Sequence, residues 1–137
     1  MSITVKTISA DEHLAFVAAR GQASFLQLPA WGKAKPEWRS ESVGFFDGDT
    51  LTGVGLVLYR QLPKLPRYLA YLPEGPVLDW DRPDIDAHLD ALVAHARRNK
   101  AFAVRIGPTV VHHRWLAPTV KAAIADPGIT ALSQATP

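Results

Sequence analysis

"SVGFFDGDTLTGVGLVLYRQL", Ser42 to Leu62, decides the fold. Two β-rich runs flank Asp47-Gly48-Asp49, a turn in which glycine supplies positive φ, so the stretch predicts a hairpin. Its second run, Leu51 to Tyr59, is almost continuously apolar. An apolar run without alternation suits a central strand covered on both faces. The rest of the chain should therefore supply strands beside this one and helices above and below it.

Upstream, "ITVKTIS" alternates Ile3, Val5 and Ile8 with polar residues, roughly as a strand does. Ser9 or Asp11 can cap a helix through "DEHLAFVAAR", with Gly21 as its stop. Downstream, "PKLPR" is a basic turn and "YLAYL" a strand closed by "PEGP". In "DRPDIDAHLDALVAHARRNK", Ile85, Leu89, Leu92, Val93 and Ala96 share one helical face. Pro83 suits the first helical position, and Arg97, Arg98 and Lys100 suit the last turn, where cations complement the helix dipole. "AFAVRIGP" is then a strand leaving that helix.

The order is β-α-α-β-β-β-α-β, an α/β (α+β) fold with helices packed on a largely antiparallel sheet. The tail from His112 offers one weak helix, Ala117 to Ala125, and no clear final strand. The expectation is one domain, residues 1–137, forming the N-terminal portion of a larger unit. An incomplete sheet has a raw edge, which predicts self-association.

Bulk composition narrows the class. The chain has 137 residues, 47% hydrophobic and 20% charged, and a net charge of +2. Those proportions fit a globular domain and are too mildly basic for a dedicated nucleic-acid binder. No apolar run approaches the ~18–20 residues that span a bilayer. The N-terminus lacks the basic start and small-residue cleavage site of a signal peptide. The absence of cysteine removes disulfides, thiolate ligands and thiol nucleophiles, and fits a cytoplasmic protein.

The chemistry concentrates in "SFLQLPAWGKAKPEW", Ser24 to Trp38. Ser24 and Gln27 have capping-box spacing, and Pro29 suits a first turn. Pro36 disfavours helical geometry at Lys35, so the helix should end there. Trp31 and Lys35 are i, i+4 and share a face, which Gln27 joins if the first turn is regular. Lys33 points elsewhere. Two readings stay open: a packed tryptophan with a lysine stem lying along it, or an indole wall beside an ammonium group that grips a phosphate.

Other signals are weaker. His112 and His113 are adjacent and lack a third partner at ligand spacing, so no metal site is expected. Asp47 and Asp49 are explained by turn chemistry. "TGVGLV" lacks the G-K-[ST] ending of a phosphate loop. No R-x-x-G-x-G/A run precedes a helix, which argues against an acyl-CoA donor. Arg60, Lys64 and Arg67 gather at a turn, either as a solvated loop or as a contact for anionic lipid head groups or tRNA phosphates.

Taken together, "SFLQLPAWGKAKPEW", the hairpin, "YLAYLPEGPVLDW" and "FAVRIGP" resemble the FemABX family of peptidoglycan aminoacyltransferases, in the family's order and over essentially the whole chain. The likeness is strongest to FemX-type members of Gram-positive bacteria. It implies a GNAT-like domain, usually one of two in tandem. The implied acceptor is a peptidoglycan precursor, lipid II or UDP-MurNAc-pentapeptide, and the implied donor is an aminoacyl-tRNA. No cofactor is required, because the ester is already activated. The lysine of the W-x-x-x-K pattern, which contacts the acceptor diphosphate in such relatives, is Lys35. The acceptor-cleft stretch makes Tyr71, Gly75 and Pro76 candidates beside Trp31 and Gln27. Some relatives carry an aspartate beside the proline after the "VR" strand. Gly107 stands there in this chain, so no carboxylate role carries over and no catalytic residue is assigned. Two alternatives remain: a module that binds the muramyl ligand without turnover, and a GNAT-type N-acyltransferase acting on another amine. The implied location is the cytoplasm, at the inner face of the membrane.

Overall fold

The computed structural model describes residues 2–111, 113–126 and 128. Five strands form one sheet in the order β1 (Ile3–Thr7), β2 (Arg39–Asp47), β3 (Thr50–Gln61), β4 (Tyr68–Leu72) and β5 (Ala101–Ile106). All pairs are antiparallel except β4 with β5. That parallel pair requires a crossover, which α3 (Ile85–Arg98) provides. Helix α1 (Ala10–Arg20), a 3₁₀ turn (Phe25–Gln27) and the short helix α2 (Pro29–Ala34) lie between β1 and β2. Helix α4 spans Ala117–Ala125, the range expected. The result is a largely antiparallel mixed sheet flanked by helices, as the sequence predicts.

The hairpin forms as expected, with Gly48 at φ 61° and Asp47 opposite Thr50. Residues 53–59 of β3 are all buried, as a central strand requires. One face, with Val57, Tyr59, Ala70 and Leu72, packs on Leu92 and Ala96 of α3. The valine and the leucines among them each contribute about 1.5–3 kcal/mol by leaving water. The other face is met by α1, α2 and the 3₁₀ turn. There His13 of α1, wholly buried, places Nδ1 2.8 Å from Ser42 Oγ and pins the helix to β2. Burial lowers the His13 pKa against an opposing hydrogen bond to the Gln27 backbone.

Helix α1 begins at a complete capping box, Ser9 with Glu12, and stops at Gly21 in the left-handed region. Helix α3 starts later than expected. Ile85 is its first residue and Asp84 its N-cap, leaving Pro83 outside the helix. The cause is local. Arg82 grips the Asp84 carboxylate with two hydrogen bonds, at 2.8 and 2.9 Å, which holds this segment as a turn.

A polar network sits under the α3 C-terminus. The Glu41 carboxylate accepts from Tyr59 Oη at 2.8 Å and from Thr7 Oγ1, and lies 3.0 Å from His95 Nε2. Burial pushes the Glu41 pKa up, but the His95, Thr7 and Tyr59 hydrogen bonds outweigh it and hold the group at about 2. An unfolded glutamate titrates at about 4.3. The ionised group therefore contributes stability that is full above the unfolded value and is lost as pH falls towards the folded one. We expect the urea midpoint to fall through that acid window, and to fall less steeply in Glu41→Gln. Equal slopes in both proteins would contradict this.

Candidate functional site

Helix α2 is six residues long, bounded by Pro29 at its start and Pro36 just past its end. It lies tight on the sheet. A Cβ on Gly32 would come 2.5 Å from Ser40 Oγ, so only glycine permits this approach. Seating Gly32 inward leaves Trp31 and Lys35 half-buried, while Lys33 and Ala34 are exposed. Lys35 Nζ stands 5.1 Å from the Trp31 ring centroid, a cation–π contact on the face that the i, i+4 spacing predicts. Phe25 and Trp31 pack edge to face, with ring centroids 5.6 Å apart and planes at 84°.

Phe25 also lines a cavity of about 550 Å³. Its other walls include Arg20, Ser24, Glu74, Pro76 and Trp80. Two ring contacts thus lead from the cavity rim through Phe25 and Trp31 to the ammonium group. Arg20 is held by the Leu78 carbonyl, to which Nη2 donates at 2.9 Å. Ser24 Oγ donates to Glu74 and accepts from the Leu26 N–H at 3.2 Å. Glu74 itself has φ 51°, in the left-handed region.

Gln27 corrects the sequence reading. It does not complete a capping box with Ser24, nor does it join Trp31 and Lys35. It is wholly buried. Its Oε1 accepts from the Leu56 N–H at 2.9 Å, and its Nε2 donates to the Leu56 and Pro73 carbonyls at 3.3 and 2.8 Å. The reason lies in the sheet. β3 pairs with β4 only from Leu58 to Gln61 and meets Val77 through an isolated bridge at Val54. Leu56 falls in the gap, and the Gln27 amide supplies the missing partners. Its polar atoms are committed to backbone, which leaves none for a ligand.

Gly75 follows from the same arrangement. A Cβ there would lie 2.2 Å from Gln27 Cδ. Gly75 is therefore a packing residue under the site, while Pro76 reaches the cavity wall. Tyr71 lies elsewhere. It is half-buried between the Arg105 guanidinium, 5.4 Å from its centroid, and Trp38, 6.1 Å away. Trp38 in turn carries Arg60 at 5.5 Å. This aromatic and arginine row is separate from the cavity lining. His112 lies outside the described residues, so the adjacent-histidine reading has no structural counterpart here.

Sequence reasoning missed Arg20, Ser24, Glu74 and Trp80 as cavity residues. Glu74 and Trp80 stand inside "YLPEGPVLDW", where an acid and an indole flanking Gly-Pro are the available signal. Chemically, the assembled site offers a cation on an aromatic wall, an apolar rim and one carboxylate. A lysine part-shielded by rings holds an anion more firmly than one in bulk water, because Coulomb attraction grows as the effective dielectric falls.

Comparison with known proteins agrees with the resemblance. The model of the FemAB family matches residues 8–126. The lipid II:glycine glycyltransferase of Staphylococcus saprophyticus is 34% identical over 106 residues, covering 75% of this chain and 26% of the relative. That of Staphylococcus haemolyticus is 35% identical over 106 residues, covering 75% and 25%. The crystal structure of FemX superposes with a TM-score of 0.64 at 31% identity, covering 77% of this chain and 27% of that one. The chain thus spans about a quarter of the length of the relatives it matches.

Proposed function

The chain belongs to the FemAB family, and from that premise we propose that it is the acceptor-binding, GNAT-like domain of an aminoacyltransferase. The acceptor is the stem peptide of a peptidoglycan precursor, either lipid II or UDP-MurNAc-pentapeptide, and the donor is an aminoacyl-tRNA. The stem-peptide amine attacks the ester carbonyl of the donor. An amide bond forms, the ester C–O bond breaks, and the tRNA hydroxyl leaves with the proton that the amine gives up. Such chemistry needs chiefly that the amine be held near the carbonyl. In this reading Lys35 grips the acceptor diphosphate, Trp31 forms the wall beside it, and the cavity past Phe25 takes the peptide. The observation that carries the reading is the Lys35 ammonium seated 5.1 Å over Trp31. The relatives named as lipid II:glycine glycyltransferases support it.

Titrating the isotope-labelled chain with UDP-MurNAc-pentapeptide tests this by NMR. Shifts should appear at the Trp31 indole, Lys35, Phe25 and Val77. Saturable binding that leaves all four unmoved would overturn the assignment. A second reading, a binder without turnover, is favoured by one feature. Among the described residues lining the cavity, Glu74 is the sole carboxylate and no histidine is present. Adding charged tRNA and assaying for a lengthened stem peptide separates the two.

The outer edge of β5 carries no partner strand among the described residues. Self-association through that edge is proposed on this ground, and light scattering should give a mass above the monomer at high concentration. A monomer throughout would refute it.

A further inference from the structure

The charges of this chain are sorted by the sheet. Asp79, Asp81, Asp84 and Asp86 surround the start of α3, and Arg82 links them to the β2–β3 turn, 4.0 Å from Asp47. The opposite end is basic. The Tyr68 N–H donates to the Lys100 carbonyl at 3.1 Å, which sets the α3–β5 turn beside the β3–β4 loop. Arg60, Lys64, Arg67, Arg97, Arg98 and Lys100 are all exposed there. Among the described residues none of the six makes an ion pair. The acids nearest in sequence are Glu74, which accepts from Ser24, and Asp90, exposed about two turns before Arg97 on α3, while Glu41 under the end of that helix is engaged by Tyr59, Thr7 and His95.

The loop between Gln61 and Tyr68 adds apolar surface to this charge. It is tied by Leu62 N–H to Arg67 O at 2.9 Å and by Gln61 Nε2 to Leu65 O at 3.2 Å. Between these ties Leu65 projects, 54% exposed, flanked by Lys64 and Pro66. Phe102, two residues past Lys100, is 53% exposed. We infer that this end of the sheet docks on an anionic phospholipid surface, with the six cations facing the head groups and Leu65 entering the boundary between head group and acyl chain.

Charge complementarity selects an anionic partner, and the leucine selects lipid over nucleic acid. A polyanionic RNA surface has no use for a projecting aliphatic side chain. Single-stranded nucleic acid would call for a groove with stacking rings, whereas this loop is a projection carrying prolines. Basic groups and an inserted apolar residue act together at a membrane interface, where either alone is weak. Among the described residues no helix is long and apolar enough to cross a membrane, so this contact is peripheral. The inference stands on charge and shape, independently of the Lys35 reading. A chain that binds vesicles but no precursor would fail only the earlier proposal.

Co-sedimentation with vesicles tests it. The chain should pellet with phosphatidylcholine vesicles containing phosphatidylglycerol at low salt, be released by high salt, and ignore pure phosphatidylcholine. Each cation removed should weaken binding about fivefold, so Lys64→Glu with Arg67→Glu should abolish most of it. Leu65→Ser should weaken it further than its unchanged charge explains, and both variants should keep the wild-type urea midpoint. Failure of the wild type to pellet at low salt would overturn the proposal. So would binding insensitive to Leu65→Ser, or a preference for structured RNA over vesicles that persists in Leu65→Ser.

Discussion

Replacing Gln27 with leucine should destabilise the domain by at least about 3 kcal/mol, because three buried backbone groups lose their partner at about 1–3 kcal/mol each. Leucine nearly matches glutamine in volume, so packing is retained and the loss reports on hydrogen bonds. The Leu56 N–H, the Leu56 carbonyl and the Pro73 carbonyl are the groups left bare. Water cannot easily replace the amide, since Gln27 is wholly buried. The urea midpoint reads the effect, with the slope checked for a change in the unfolded state. A loss below about 1 kcal/mol, the size of an ordinary surface change, would mean the gap beside β3 is satisfied in another way.

The second large effect concerns the ligand. Lys35→Ala should weaken binding of a nucleotide-linked muramyl-pentapeptide by about 10- to 100-fold, the equivalent of one charge-assisted contact. Lys33→Ala should leave it unchanged, because Lys33 is exposed while Lys35 lies over Trp31. Neither variant should move the urea midpoint appreciably, since neither ammonium group forms an ion pair among the described residues. Equal weakening by both lysines would indicate a diffuse electrostatic effect in place of a seated group.

The parts of the fold legible in sequence were those set by local rules. The hairpin follows from a glycine turn and an apolar run, and both act within a few residues. Helix α3 follows from its period, and α1 from a serine cap and a terminal glycine. Trp31 and Lys35 meet because four residues make one turn. Gln27 was misread for the same reason. Its spacing from Ser24 satisfies the local capping rule, while the need it serves arises at Leu56, twenty-nine residues away. No local pattern records that β4 leaves β3 early. Pro83 was misplaced because the Arg82 grip on Asp84 competes with a regular first turn. The cavity was legible least, since α1, the 3₁₀ turn and the segments after β4 and β5 all contribute walls.

The seating of a diphosphate at Lys35 is tested most directly by a binding cycle. Wild type and Lys35→Ala are each titrated by calorimetry with UDP-MurNAc-pentapeptide and with a muramyl-pentapeptide that lacks the diphosphate. The substitution should weaken only the first ligand, so that both ligands bind the variant with similar affinity. An equal loss for both ligands, or no loss for either, would contradict a diphosphate contact at Lys35.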